Sequence, residues 1–341
     1  MFAVGADIGG TSVKIGVFED SGKIMAKSRI PTRKDDNCRY VLEDTAAEIK
    51  RLLRANHIDP GEVLGIGAGV PGPVADGVVM HCVNLHWTDK VDAAARLEEM
   101  TGIRTSLIND ANAAALGEQW MGAGRGRKSM VFVTIGTGVG GGIIIGGNVL
   151  TGAGGAAGEI GHITVENGGR ACNCGRKGCL ETYASATGIV ATAREKLESF
   201  DGYSKLRQGE ISAEAVFNAA KEGDAAALSV VDDFAARLGQ ALANISVVVD
   251  PEIIVLGGGV SKAGEIVRKN VEKYYAESAF MSVRDRKIVI AVLGEDAGIY
   301  GAARQAVKTA GAIDGCEILK DLEPFLNDRS SLKTASQPVK T

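Results

Sequence analysis

The chain has little of what would direct a protein to a membrane, to nucleic acid or to an oxidising compartment. No apolar run reaches the roughly 20 residues that a membrane-spanning helix needs, and the first residues enter a strand-like pattern where a signal peptide would stand. There is no basic block and the net charge is −4, so no electrostatic footprint for a polyanion is present. Histidine is scarce at four, and the six cysteines divide into a cluster (Cys172, Cys174, Cys179) and three isolated ones (Cys38, Cys82, Cys316). That division suits a reducing cytosol better than a disulfide framework, so a cytoplasmic location is expected. The remainder is an ordinary globular composition, 45% apolar and 23% charged, and 341 residues lead us to expect two domains. Glycine is the exception to scarcity. Its 46 copies fall in discrete clusters, the mark of tight loops that meet ligands.

One segment gathers the rare residues. Gly158–Glu181, GEIGHITVENGGRACNCGRKGCLE, holds His162 and the clustered cysteines at the spacing Cys-x-Cys-x4-Cys. Three thiols and an imidazole suit a closed tetrahedral zinc site, and Gly175 and Gly178 let the chain wrap an ion. Reduced thiols in a Gly-rich turn are the plainer alternative. Two carboxylates, Glu159 and Glu181, flank the set.

The N-terminus reads as strand, turn and strand: apolar from Ala3, the turn Gly9-Gly10-Thr11, then Val13, Ile15 and Val17 in alternation. Asp7 at the mouth of this hairpin, with Lys14 behind it, is a candidate platform for phosphate and a hydrated Mg²⁺. A purely structural hairpin would look the same. A helix is expected over 39–56 and a buried strand over 63–68. The strand ends in Gly69-Val70-Pro71-Gly72-Pro73, and Gly67-x-Gly69-x-x-Gly72 is formally a dinucleotide fingerprint, but the prolines forbid the helix that fingerprint must open. We expect a substrate-lining loop there, then a polar-aromatic loop over 84–88, a helix over 92–101 and a strand over 105–108. That strand runs straight into Asn109-Asp110-Ala111-Asn112 and an Ala-rich helix. Asp110 can be an N-cap, or a general base at a strand end with Asn109 suited to hydroxyl recognition.

After a basic Gly-rich loop over 122–128 the opening pattern returns: a strand over 130–135, the turn Gly136-Thr137-Gly138 and a return strand. Here too strand follows the glycines, so the Rossmann reading fails. Two such hairpins point to an internally duplicated α/β architecture with a nucleotide clamped between its halves. Helices are then expected over 186–200, 212–222 and 224–249. A buried strand over 252–256 ends in Gly257-Gly258-Gly259, which can admit the flat face of a purine or make a bare turn. Ser261 is expected to cap a helix through Tyr275. A strand over 288–293, a helix over 296–309 and a polar, aperiodic stretch from about Ile318 complete the reading.

Taken together, these segments resemble the ROK family (repressors, ORFs, kinases) of actin-like sugar kinases, and within it the bacterial glucokinases, over roughly residues 3 to 310. Residues 7–14 (DIGGTSVK) resemble the first phosphate motif, residues 135–142 the second and residues 256–260 (LGGGV) the adenosine motif. The pair GEIGH (158–162) and CNCGRKGCLE (172–181) matches the family signature, and at this separation it is the most specific of them. The resemblance implies an α/β, two-domain actin-like ATPase (RNase H-like) fold around a cleft. The small domain would be 1–118 plus about 298–312 and the large one 119–297, with 318–341 a flexible polar tail.

It also implies the chemistry: ATP-dependent phosphorylation of a hexose, glucose first, at its 6-hydroxyl, with Asp110 as base. Asn109, Glu159, His162 and Glu181 would bind ring hydroxyls. Asp7, Gly9, Gly10, Thr11, Lys14, Gly136, Thr137, Gly138, Gly257, Gly258 and Gly259 would hold Mg²⁺ and ATP. His162, Cys172, Cys174 and Cys179 would bind a structural Zn²⁺. Family members are commonly homodimers or homotetramers. Kinases for N-acetylglucosamine, N-acetylmannosamine or fructose, and a sugar sensor without catalysis, are the alternatives. A repressor is disfavoured because the first hairpin begins at residue 3, leaving no room for a winged helix.

Overall fold

Two runs of alternating and fully apolar strands build two sheets of the same design. A computed structural model describes the backbone of residues 1–326 and the side chains of residues 1–311. The first sheet starts with the antiparallel meander β1 (Phe2–Ile8), β2 (Ser12–Glu19) and β3 (Ile24–Pro31), and β1 pairs in parallel with β4 (Val63–Val70). A small ribbon, β5 (Val74–Ala75) and β6 (Val78–Val79), follows, and β7 (Thr105–Asn109) closes the order β3-β2-β1-β4-β7. The second sheet repeats that order as β10-β9-β8-β11-β12, from β8 (Met130–Ile135), β9 (Val139–Ile145), β10 (Asn148–Val149), β11 (Ile253–Gly257) and β12 (Lys287–Ile290). The expected internal duplication is therefore present, down to which pairs are parallel.

The helices cover these sheets. A single turn α1 (Asp35–Cys38), with Asp36, Asn37 and Cys38 at positive φ, precedes α2 (Val41–Ala55) and α3 (Ala93–Thr101). The central helix α4 (Asp110–Met121) follows β7 without a loop. Beyond β10 come α5 (Glu181–Ala184), α6 (Ala186–Glu198), α7 (Ala213–Lys221) and α8 (Ala225–Val249). Ser185, Ser212 and Asp224 cap the last three through side-chain oxygens that accept backbone N–H groups. After β11 a 3₁₀ turn over Val260–Ala263 comes before α9 (Glu265–Ser278). The helix expected from Ser261 thus begins later, because Ser261 Oγ donates to Gly258 O at 2.7 Å and Gly264, at φ +77°, breaks the path.

The last helix, α10 (Ala297–Leu326), returns to the first sheet and packs on β1, β4 and α4. It runs past the expected end at residue 309 and into the stretch expected as an aperiodic tail, since no proline interrupts it before Pro324. Residues 327–341 of that tail lie outside the described residues. Among the described residues no helix is long and apolar enough to cross a membrane.

α4 lies between the two halves. A methyl group at Gly301 of α10 would stand 1.6 Å from Ala113 O, and one at Gly142 of β9 would stand 2.5 Å from Ala115 Cβ. Backbone therefore lies against α4 on both flanks, which explains its Ala-rich composition. At its far end Glu118 is fully buried. Its carboxylate accepts N–H groups from Ala123 at 2.7 Å, Val292 at 3.0 Å and Leu293 at 2.7 Å. The chain passes between the sheets over 122–129 and again over 291–296, and Glu118 ties both crossings to α4.

Candidate active site

The site grows from the start of α4. Asn109 is the cap: its Oδ1 accepts the N–H groups of Ala111 and Asn112 at 3.0 and 3.1 Å. Its Nδ2 donates to Gly72 O at 3.2 Å and Asp110 Oδ1 at 3.0 Å, so the loop after β4 and the acid are held by one carboxamide. The capping role open to Asp110 on sequence thus falls to its neighbour. Asp110 Oδ1 also accepts the Ala111 N–H at 2.8 Å.

Two cavities meet at Asp110. One, of about 410 Å³, is lined by Pro71, Gly72, Asn84, Asn109, Glu159, His162 and Glu181 with the backbone of the β8–β9 turn. The other, of about 450 Å³, is lined by Asp7, Lys14, Gly257, Gly258, Gly259, Ser261 and Lys262. Asp110, Ala111 and Thr134 belong to both walls. Asp110 stays accessible toward these openings while protein crowds its other sides, and this desolvation raises its carboxyl from 3.8 to about 6. The Ala111 N–H pulls it down, whereas repulsion from Asp7 and Glu159 pushes it further up. Burial likewise lifts the Asp7 carboxyl above its ordinary value, against the pull of Lys14. A methyl group at Gly298 would come within 2.8 Å of Asp7 Oδ2, so glycine there leaves the carboxylate its room.

Both turns are anchored from outside their own strands. Glu181, at the head of α5, accepts the Val139 N–H at 3.0 Å and fixes the β8–β9 turn. Lys14 Nζ donates to Glu295 O at 2.9 Å, joining β2 to the segment before α10. Gly258, at φ +83°, turns so closely under the second sheet that a methyl group would meet Ile135 O at 2.4 Å. Beyond Gly259 a third cavity, about 480 Å³, lies between the β8–β9 turn and α7, with Thr137, Glu214, Phe217, Asn218 and Lys221 on its walls.

The structure thus brings most of the expected residues together: Asn109, Asp110, Gly136, Gly138, Glu159, His162 and Glu181 around one cavity, and Asp7, Lys14, Asp110 and Gly257 to Gly259 around the other. Gly9, Gly10 and Thr11 line none of these cavities; a methyl group at Gly10 would press on Asn84 O at 2.5 Å, so this glycine supports the wall from behind. Sequence reading missed Thr134, Lys262, Glu295 and the α7 side chains. Glu214, Asn218 and Lys221 do recur at i, i+4 and i+7, but that polar face reads as ordinary helix surface.

The cysteine segment folds into a knuckle beside the first cavity. Gly178 has φ +76°, and a methyl group there would lie 1.6 Å from Glu166 O. The ligand atoms of His162, Cys172, Cys174 and Cys179 all lie within 4.8 Å of one another. Cys172 Sγ is 3.7 Å from His162 Nδ1 and Cys174 Sγ is 3.6 Å from Cys179 Sγ. Sulfurs bound about 2.3 Å from a tetrahedral zinc stand about 3.8 Å apart, so donor set and spacing fit that ion.

Known proteins resemble this chain over most of its length. Residues 3–309 match the family model described as the ROK family. The chain is 45% identical over 306 residues to a glucokinase of Halalkalibacterium halodurans, covering 87% of this chain and 92% of that one. It is 38% identical over 310 residues to a glucokinase of Thermotoga maritima, covering 88% and 95%. Among solved structures, a ROK family glucokinase from Streptomyces griseus in complex with glucose and AMPPNP superimposes with a TM-score of 0.74 at 32% identity, covering 90% of this chain and 100% of that one.

Proposed function

The chain belongs to the ROK family, and from that premise we propose that it is a glucokinase, transferring the γ-phosphoryl group of ATP to the 6-hydroxyl of glucose. The observation that carries this is the position of Asp110, at the junction of a cavity suited to hydroxyls and a cavity suited to phosphates. In the first, carboxylates, an imidazole and amides offer the paired donors and acceptors that ring hydroxyls need. In the second, Lys14, Lys262 and glycine backbone face the phosphates, and the purine extends toward Gly259 and α7.

Asp110 takes the proton of the sugar 6-hydroxyl as that oxygen bonds to the γ-phosphorus. The bond from that phosphorus to the β–γ bridging oxygen breaks, and ADP leaves. A carboxyl near 6 is ionised at neutral pH yet basic enough to hold the proton. Magnesium enters with ATP and would be held through Asp7, supplying charge neutralisation for the phosphates. Asn109 positions Asp110, and Glu181 positions the β8–β9 backbone. His162 would hold zinc through Nδ1, leaving Nε2 for a sugar hydroxyl, and Cys172, Cys174 and Cys179 would complete a structural site.

We take the small domain as residues 1–118 with 298–312 and the large one as 119–297, working in the cytosol. Self-association as a dimer or tetramer is the habit of the family, and the exposed apolar Val248, Phe280 and Met281 are side chains that such an interface would cover.

The test is a phosphoryl-transfer screen of glucose, N-acetylglucosamine, N-acetylmannosamine and fructose against ATP. Glucose should give the highest kcat/KM. A higher kcat/KM for another hexose would reassign the substrate, and no phosphorylated sugar from any of them would remove the kinase reading.

A further inference from the structure

Another cavity lies on the other flank of the helix that begins with Asp110. It measures about 460 Å³, close to the sugar cavity in size. Its polar wall consists of Asn112 from α4, Asn148 from β10, Thr151, and Gln305, Lys308 and Thr309 from α10. Among the described residues no acidic side chain lines it. Val74, Leu107 and Ile108 supply an apolar patch opposite the amides and hydroxyls.

One charged group on this wall lacks a counter-charge. Lys308 Nζ donates to Gly147 O at 2.6 Å but forms no ion pair among the described residues. Burial and the nearby Arg304 both push its ammonium toward losing its proton, as expected of a cation that lacks a counter-charge.

We propose that this cavity binds a small phosphorylated sugar, with Lys308 facing the phosphoryl group and the amides of Asn148 and Gln305 meeting ring hydroxyls. The charge selects an anion, the amides and hydroxyls select a polyol, and the apolar patch receives the carbon face of a ring. The site is distinct from the catalytic cleft, although it shares Asn109 with it. Its walls come from both halves of the molecule, β7 and α10 on one side, β10 and the following loop on the other. A ligand bound here responds to the angle between the halves, and by linkage it biases closure of the cleft over glucose.

The experiment is calorimetric titration of glucose 6-phosphate into protein preloaded with saturating glucose and AMPPNP. A parallel titration uses inorganic phosphate. Glucose 6-phosphate should bind at one per chain under preloading, with inorganic phosphate at least about tenfold weaker because it lacks the ring contacts. Lys308→Met keeps most of the unbranched stem of the side chain and removes its charge, and should weaken the sugar phosphate by about tenfold or more. Thr309→Val provides a milder variant with a smaller loss in the same direction, and melting curves establish that both are folded. In steady-state assays glucose 6-phosphate should shift the glucose KM of the wild type, and Lys308→Met should lose that shift while keeping its kcat without effector. Loss of binding on preloading would place the ligand in the catalytic cleft and overturn the proposal. So would equal affinity in folded Lys308→Met, or inorganic phosphate binding as tightly as the sugar phosphate.

Discussion

The two hairpins at the heart of the molecule share strand order and register but not chemistry. In the first, Asp7 of β1 stands opposite Lys14 of β2; in the second, the corresponding pair is Thr134 of β8 opposite Gly140 of β9. One copy places an acid and a base where the other places a hydroxyl and no side chain. The reason lies in α4. A methyl group at Gly140 would stand 3.1 Å from Ala111 Cβ, so the second hairpin gives up its side chain to let the head of α4 approach. Duplication thus fixed the scaffold, and charge was placed only where α4 does not lean. Asp110, on the leaning helix, ends up between the charged hairpin and the uncharged one.

The strongest way to break this comparison is to neutralise the residue between the hairpins. Asp110→Asn should lower kcat by about 10³-fold, within the usual range for a lost general base, while calorimetry shows glucose still bound. Retained turnover would transfer the base role elsewhere. The same variant carries a stability signature. A carboxyl raised from 3.8 to about 6 by the fold binds its proton more tightly folded than unfolded. Ionised Asp110 therefore subtracts from stability above about pH 6, and that loss vanishes below the unfolded value. Asp110→Asn should melt higher than wild type at pH 8, with the gap closing as pH falls through about 6.

Next comes the asymmetry itself. Asp7→Asn should lower kcat by about 10²-fold through lost handling of the phosphates, whereas Thr134→Val in the equivalent position should cost less than about tenfold. Equal losses would mean that the two hairpins share the work. Because repulsion from Asp7 helps raise the Asp110 carboxyl, Asp7→Asn should also move the acidic limb of the kcat/KM profile from about pH 6 to lower pH.

Most of the fold was legible because its signals are local. Alternation marked β2, apolar runs marked β1, β4, β8 and β11, and glycines at strand ends marked the turns. The duplication showed as two hairpins of like pattern. Less legible were features set by partners distant in sequence. Whether Asp110 or Asn109 caps α4 depends on Gly72, and the 3₁₀ turn at Ser261 depends on a bond back to Gly258. The α7 side chains at the third cavity carried no signal, since a polar helix face looks the same over solvent as over a cleft. Glu118 carried no signal of its own in the sequence, although three backbone N–H groups from both crossings converge on its carboxylate.

The smallest expected effect concerns the knuckle, which contributes to the sugar side of the second half without touching the hairpins' phosphate chemistry. Metal analysis of the purified wild type should find one zinc per chain, and Cys174→Ser should lower that content, with a lower melting temperature at matched concentration. Cys174 is the exposed member of the set, so its loss leaves the buried Cys172 and Cys179 packing in place. His162, the imidazole of the knuckle, lines the sugar cavity and not the phosphate one. Loosening it should therefore raise the glucose KM by about tenfold while kcat and the KM for ATP stay within a factor of about two. An equal fall in kcat would show that the knuckle also positions Asp110 or the β8–β9 turn, and the division between a charged hairpin and a structural one would have to be redrawn to include it.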